Sequence, residues 1–201
     1  EATAGVHGAI SPSGWIVVPY GSNAEFVVQA QQYFHVASVA TNGVLMAGVP
    51  VVAVCTVVWE NVVATGLVEA LFLEDLSAQG VPHWWLAGYG WAGELNDAAT
   101  NDPDQDRMLT WQEFWAGTDP TNRDSFLGMN QAAPAAGGGF VIRWQSVTGR
   151  SYAVARSVNL RAQPAFTAIF EHVTGLAGHT SVTDTQADVI GPRVYRVEVE
   201  P

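Results

Sequence analysis

Period-two alternation is the feature that most narrows what this chain can fold into. Near its C-terminal end Phe140, Ile142 and Trp144 alternate with Val141, Arg143 and Gln145, and Tyr195, Val197 and Val199 alternate with Arg196, Glu198 and Glu200. Successive side chains of a strand point to opposite faces, so this pattern predicts strands with one dry and one wet face, as in a small antiparallel sandwich spanning 139–201. Residues 7–75 carry the same signs in shorter pieces. "WIVV", "EFVVQA" and "YFHVASV" are divided by the turn signals "SPSG", "YGSN" and "TNG". The run 49–59 is apolar on both alternating sets: Val49, Val51, Ala53, Cys55 and Val57 on one, Val52, Val54 and Val58 on the other. That predicts a strand covered on both faces, by its own domain or by another subunit.

Between these β-rich stretches the character changes. "GVPHWWLAGYGW" places a proline near a first helical turn, and a short helix is expected over 110–116, stopped by Gly117 with Pro120 beyond it. "APAAGGG" at 133–139 reads as a flexible joint. The expected fold is therefore mainly β: two small β-modules, β-grasp-like at the N-terminus and β-sandwich-like at the C-terminus, joined by a short helical segment. The divisions fall at 1–78, with residues 1–8 as an arm able to complete a neighbour's sheet, then 79–130 and 131–201.

Charge excludes one class of partner. The chain contains no lysine; its eight basic residues are arginines, the first being Arg107, and the net charge is −11. Residues 1–106 thus carry all of the net charge, which opposes nucleic-acid binding because phosphate neutralisation needs clustered cations. Divalent cations, or an arginine-bearing surface of a neighbouring copy, suit it better. Cys55 is the only cysteine, so no internal disulfide forms, and its apolar setting reads as a small buried hydrophobe. The longest apolar run, 44–59, is too short and too β-branched for a membrane span. The opening "EATAG" fits a mature secreted protein whose leader has been removed.

The chemistry concentrates in "NDPDQDRMLTWQEFWAGTDPTN", residues 101–122. Asp102, Asp104 and Asp106 stand at every second position and Glu113 follows seven residues after the last. A solvated turn, a catalytic carboxylate cluster and a calcium loop are the three readings. Calcium takes six to eight oxygens, supplied by a twelve-residue loop at positions 1, 3, 5, 7, 9 and 12. Counting from Asp102 gives Asp104 at 3, Asp106 at 5, the Met108 carbonyl at 7, Thr110 at 9 and Glu113 at 12. Position 6, where glycine is expected, is Arg107. A left-handed backbone there costs a non-glycine residue about 1–2 kcal/mol. Catalysis is disfavoured because no second acid in a different environment, and no histidine, lies near the loop.

"DPDQDRMLTWQEFWAGTDPTN" resembles the thrombospondin type 3-like and dockerin-like calcium motifs of bacterial proteins, and "GVPHWW" is similar to the helix found ahead of such loops. The resemblance implies calcium ligation by Asp102, Asp104, Asp106, Glu113 and the Met108 carbonyl, with Asp119 of "GTDP" as an accessory. "HGAISPSGWIVVPYGSNAEFVVQAQQYFHVASVATNG" through "WENVVATGLVEALF" resembles the bacterial repeat domain related to internalin B-repeats. "FVIRWQSVTGRSYAVARSVNL", with "VYRVEV", is similar to a fibronectin type III-like module. None of these families is catalytic.

Other candidates are weaker. The histidines at 7, 35, 83, 172 and 179 fall in different segments without metal-ligand spacing. No nucleophile elbow is present, and "AAGGGF" lacks the Lys-Ser/Thr of a phosphate loop. Trp84, Trp85, Trp91, Trp111 and Trp115 make either an aromatic core for the short helices or a surface for docking or carbohydrate stacking. The functional expectation is a secreted, extracellular or cell-surface, non-enzymatic protein stabilised by Ca2+ that self-associates, as a filament or surface subunit. The alternative is an accessory region of a larger secreted enzyme or adhesin that binds carbohydrate or other surface proteins.

Overall fold

The structure is a computed structural model that describes residues 1–186 and 192–200. The expected module 131–201 includes residues 187–191 and 201, which lie outside the described residues. The protein is mainly β, with several small sheets and three short helices among the described residues. It divides into two compact units, Glu1–Asn96 and Asp97–Pro201.

The first unit holds β1 (Ala2–Ala4), β2 (Gly8–Ser11), β3 (Ser22–Ala30), β4 (Phe34–Thr41), β5 (Val44–Leu45), β6 (Val54–Val62), β7 (Val68–Glu74) and helix α1 (His83–Gly88). Its strands form two sheets, of order β1-β7-β4-β5 and β2-β3-β6. Alternation decides what each sheet buries. Ala24, Phe26, Val28 and Ala30 of β3 point inward, while Asn23, Glu25, Val27 and Gln29 point to solvent. The inward residues meet Val36 and Val39 of β4 and Val68, Ala70 and Phe72 of β7 in one apolar core. β4 turns into β5 through Asn42 and Gly43, both at positive φ (50° and 77°), the backbone an Asn-Gly hairpin demands.

One sequence expectation is corrected in this unit. The strand foreseen over 49–59 starts only at Val54. Gly48 turns the chain at φ 74° and Pro50 has no N–H to give a ladder, so 49–53 is irregular. This unit does not cover both faces of β6: Cys55 and Val57 are buried, whereas Val54 is 52% and Val58 39% exposed. Residues 2–4 of the expected arm pair in parallel with β7 of their own sheet, Ala2 opposite Val68 and Ala4 opposite Ala70, and Ala2 is buried in the core.

Helix α2 (Leu95–Thr100) crosses the unit boundary along the chain. The second unit continues with α3 (Thr110–Ala116), β8 (Met129–Pro134), β9 (Phe140–Ser146), β10 (Ser151–Ser157), β11 (Thr167–Thr174), β12 (Gly178–Asp184) and β13 (Val194–Glu200). Two three-stranded antiparallel sheets, β12-β9-β8 and β11-β10-β13, enclose Ile142, Trp144, Tyr152 and Val154. The face assigned by alternation to Ile142 and Trp144 is the buried one, and Tyr195, Val197 and Val199 pack on the same core. Asp184 is buried in this unit and accepts from Arg156 at 2.6 Å and from the Tyr195 hydroxyl at 3.1 Å. The segment 133–139, expected as a joint, is instead the end of β8 and a tight return into β9, closed by Ala135 N–H to the Gly139 carbonyl at 2.9 Å. Gly138 and Gly139 at φ 91° and 83° make that reversal possible.

Candidate metal centre

The loop 101–109 leads from α2 into α3, and backbone bonds close it at its neck. Both the Thr110 N–H and its hydroxyl donate to the Asn101 carbonyl, at 2.8 and 3.1 Å. Thr110, placed at position 9 by spacing, thus gives its hydroxyl proton to the neck and keeps its oxygen lone pairs. The Leu109 N–H donates to Gln112 Oε1 at 2.8 Å, which satisfies one of the free donors at the start of α3. Gly117, at φ 75°, ends the helix as expected, with its N–H on the Glu113 carbonyl at 2.7 Å.

Inside the loop the carboxylates organise the backbone. Asp102 Oδ1 accepts from Gln105 N–H at 2.8 Å and Asp106 N–H at 3.2 Å, and its Oδ2 accepts from Arg107 N–H at 3.0 Å. Asp104 Oδ1 accepts from Asp106 N–H and Asp106 Oδ1 from Met108 N–H, at 3.2 and 2.6 Å. Gln105 and Arg107 take positive φ, 64° and 82°. Position 6 thus has the left-handed backbone that glycine would meet without strain, adopted by an arginine.

One oxygen from each of Asp102, Asp104 and Asp106 falls within 4.8 Å of the other two. The remaining oxygens decide what this cluster suits. Asp104 Oδ2, Asp106 Oδ2 and Glu113 Oε2 are buried and accept no hydrogen bond. Glu113, fully buried on α3, has only the Thr118 hydroxyl, at 3.4 Å from Oε1. Burial first, then the charges of Asp104 and Asp106, push its carboxyl up to about 8 from an ordinary 4.5; burial also raises Asp104. Hard oxygens that are crowded and unpartnered are the ligand type a hard cation takes.

The five residues expected as ligands are not equally placed. The three aspartates converge. Glu113 lies outside that 4.8 Å group but feels their charge. Met108 gives its N–H to Asp106, and its sulfur accepts from Leu127 N–H at 3.2 Å; no backbone N–H among the described residues takes its carbonyl. Asp119 is occupied elsewhere, its Oδ1 accepting from the N–H and hydroxyl of Thr121. Spacing could not have found Asn101 or Thr118, whose roles come from the folding of the neck and the helix end. The tryptophans do not form the buried aromatic core weighed above: Trp84 is 45% and Trp115 41% exposed, and Trp85, Trp91 and Trp111 are half-buried.

No other group of three His, Cys, Asp or Glu side chains among the described residues is arranged to hold a metal. His35 pairs with Asp75 at 2.8 Å and His172 with Glu200 at 3.2 Å, in different units. Among the described residues no helix is long and apolar enough to cross a membrane. Compared with protein-family models, curated proteins and solved structures, the chain matches none.

Proposed function

We propose that this is a non-enzymatic structural protein of the cell exterior, in which Ca2+ held by Asp102, Asp104, Asp106, Glu113 and the Met108 carbonyl stiffens the segment ahead of the C-terminal sandwich. The observation that carries the reading is the set of three buried carboxylate oxygens without partners, Asp104 Oδ2, Asp106 Oδ2 and Glu113 Oε2. Unpaired buried anions are costly, and a divalent cation removes the cost. The strained arginine at position 6 and its charge suit the millimolar calcium in which extracellular modules work, rather than a high-affinity sensor.

Support for self-association, as in a filament or surface subunit, comes from the exterior of the first unit. The outer face of β6, Leu71 and Leu73 of β7, and the nearly fully exposed Trp15, Val17 and Tyr20 leave much apolar surface in water. Trp15 and Tyr20 also line, with Trp59, a groove of about 350 Å³. That groove favours the second reading, an accessory module binding carbohydrate or a surface protein. Thermal unfolding with calcium and with chelator tests the metal reading. A site that binds only the folded form adds about 2.7 kcal/mol at a hundredfold excess over Kd, so chelator lowers Tm and Asp104→Ala removes that sensitivity. A Tm indifferent to chelator, in protein without bound metal, refutes it. Sedimentation of the calcium-loaded protein separates self-association from the accessory-module reading.

A further inference from the structure

We infer that Arg150 is the positioning residue through which calcium at the loop stabilises the C-terminal sandwich; the inference rests on the calcium reading above. Arg150 lies in the turn between β9 and β10. Its Nη2 donates to the Phe114 carbonyl at 3.0 Å, in the last turn of the helix that carries Glu113. That carbonyl has only a long backbone bond, from Gly117 N–H at 3.3 Å, and carbonyls at a helix end form its negative pole, where a cation is favourable. Among the described residues no carboxylate pairs with this guanidinium, and its hydrogen bond goes to the helix end.

The contact is built for this side chain. A Cβ on Gly117 would lie 2.8 Å from Arg150 Nε and 3.5 Å from Val147 Cγ1. The glycine that ends the helix is therefore also the surface against which the guanidinium lies. The other end of Arg150 belongs to the sandwich. Its carbonyl accepts from Gly175 N–H at 2.8 Å, and its N–H donates to the Val147 carbonyl at 3.2 Å. Val147 N–H in turn donates to the hydroxyl of Tyr152, whose ring packs 5.7 Å from that of Trp144 in the core. A continuous path runs from Glu113 through the end of α3 and Arg150 to the centre of the sandwich. Fixing Glu113 on a metal fixes the helix end, and the helix end fixes the β9–β10 turn.

Hydrogen exchange by mass spectrometry on the whole chain, with calcium and with chelator, tests this. In the unaltered protein calcium at a hundredfold excess over Kd slows exchange both in 97–118 and in 140–157, by up to about 100-fold where opening of the site limits it. In Arg150→Met, which keeps the aliphatic stem, calcium still protects 97–118, and its effect on 140–157 falls below about tenfold. Arg150→Lys, with its charge and a single donor point, gives an intermediate effect and serves if the methionine variant does not fold. Full calcium-dependent protection of 140–157 in both variants overturns the inference and leaves the Met108–Leu127 contact as the link. Absence of protection in 97–118 of the unaltered protein is a different result: it overturns the calcium reading, and the coupling with it.

Discussion

Glu113→Gln is the substitution whose effect is least intuitive, because it should strengthen the protein without calcium and weaken it with calcium. Glu113 is fully buried beside three aspartates and its carboxyl is raised from 4.5 to about 8. Between those pH values the folded, chelated protein holds a proton that the unfolded chain has released, so its stability falls as pH rises through the window. At about 1.4 kcal/mol for each pH unit, the loss reaches about 5 kcal/mol by pH 8 as an upper bound. Glutamine has no proton to lose and escapes it, against about 1–3 kcal/mol for burying an amide without full partners. A net gain of up to about 2–4 kcal/mol in chelator at pH 8 corresponds to a Tm higher by roughly 4–16 °C for a chain of this size. At pH 4.5 that advantage disappears. With calcium at a thousandfold excess over Kd the order reverses, because the unaltered protein gains about 4.1 kcal/mol and the variant lacks the Glu113 carboxylate. Calorimetry at pH 4.5, 6 and 8, in chelator and in calcium, gives the four curves. If the variant in chelator is no more stable than the parent at pH 8, the burial argument for Glu113 is wrong. If calcium raises both equally, Glu113 is not a ligand.

Three further outcomes follow from named contacts. Arg107→Gly relieves about 1–2 kcal/mol of left-handed strain, partly offset by glycine's greater backbone freedom when unfolded; a urea midpoint reads the net gain, and calorimetric titration reads tighter calcium binding as a cation leaves the loop. Gly117→Ala should cost more than Gly149→Ala, although both glycines have positive φ (75° and 86°), because only the first Cβ meets Arg150; equal urea midpoints refute the packing at Gly117. Asp184→Ala leaves Arg156 and Tyr195 without their shared acceptor and should lower stability by about 3 kcal/mol in urea unfolding.

What could be read from residues alone was local. The faces of β9 follow from alternation, the β4–β5 turn from Asn42–Gly43, and α3 with its end from the 110–117 pattern, because each is decided by neighbours in sequence. The aspartate spacing was also legible: side chains two apart in a tight loop converge whatever surrounds them, and Arg107 adopts the backbone its position required. Contacts set by tertiary packing were not. Whether Val54 and Val58 are covered depends on what lies over a sheet, and nothing in 49–59 states that. "APAAGGG" has the composition of a linker, but two glycines at positive φ serve a hairpin equally well. Arg150 is 36 residues from the carbonyl it holds, and no pattern links them.

The parallel pairing of β1 with β7 bears on how the first unit responds to being pulled. Parallel neighbours present the start of one and the end of the other at opposite ends of the same ladder. Tension entering at the beginning of β1 and leaving at the end of β7 therefore slides the two strands along each other. The bonds from Val68 N–H to the Glu1 carbonyl and from Gly5 N–H to the Ala70 carbonyl, with those between them, are strained together rather than opened one by one as in a hairpin. Resistance of that kind comes from simultaneous rupture of the bonds.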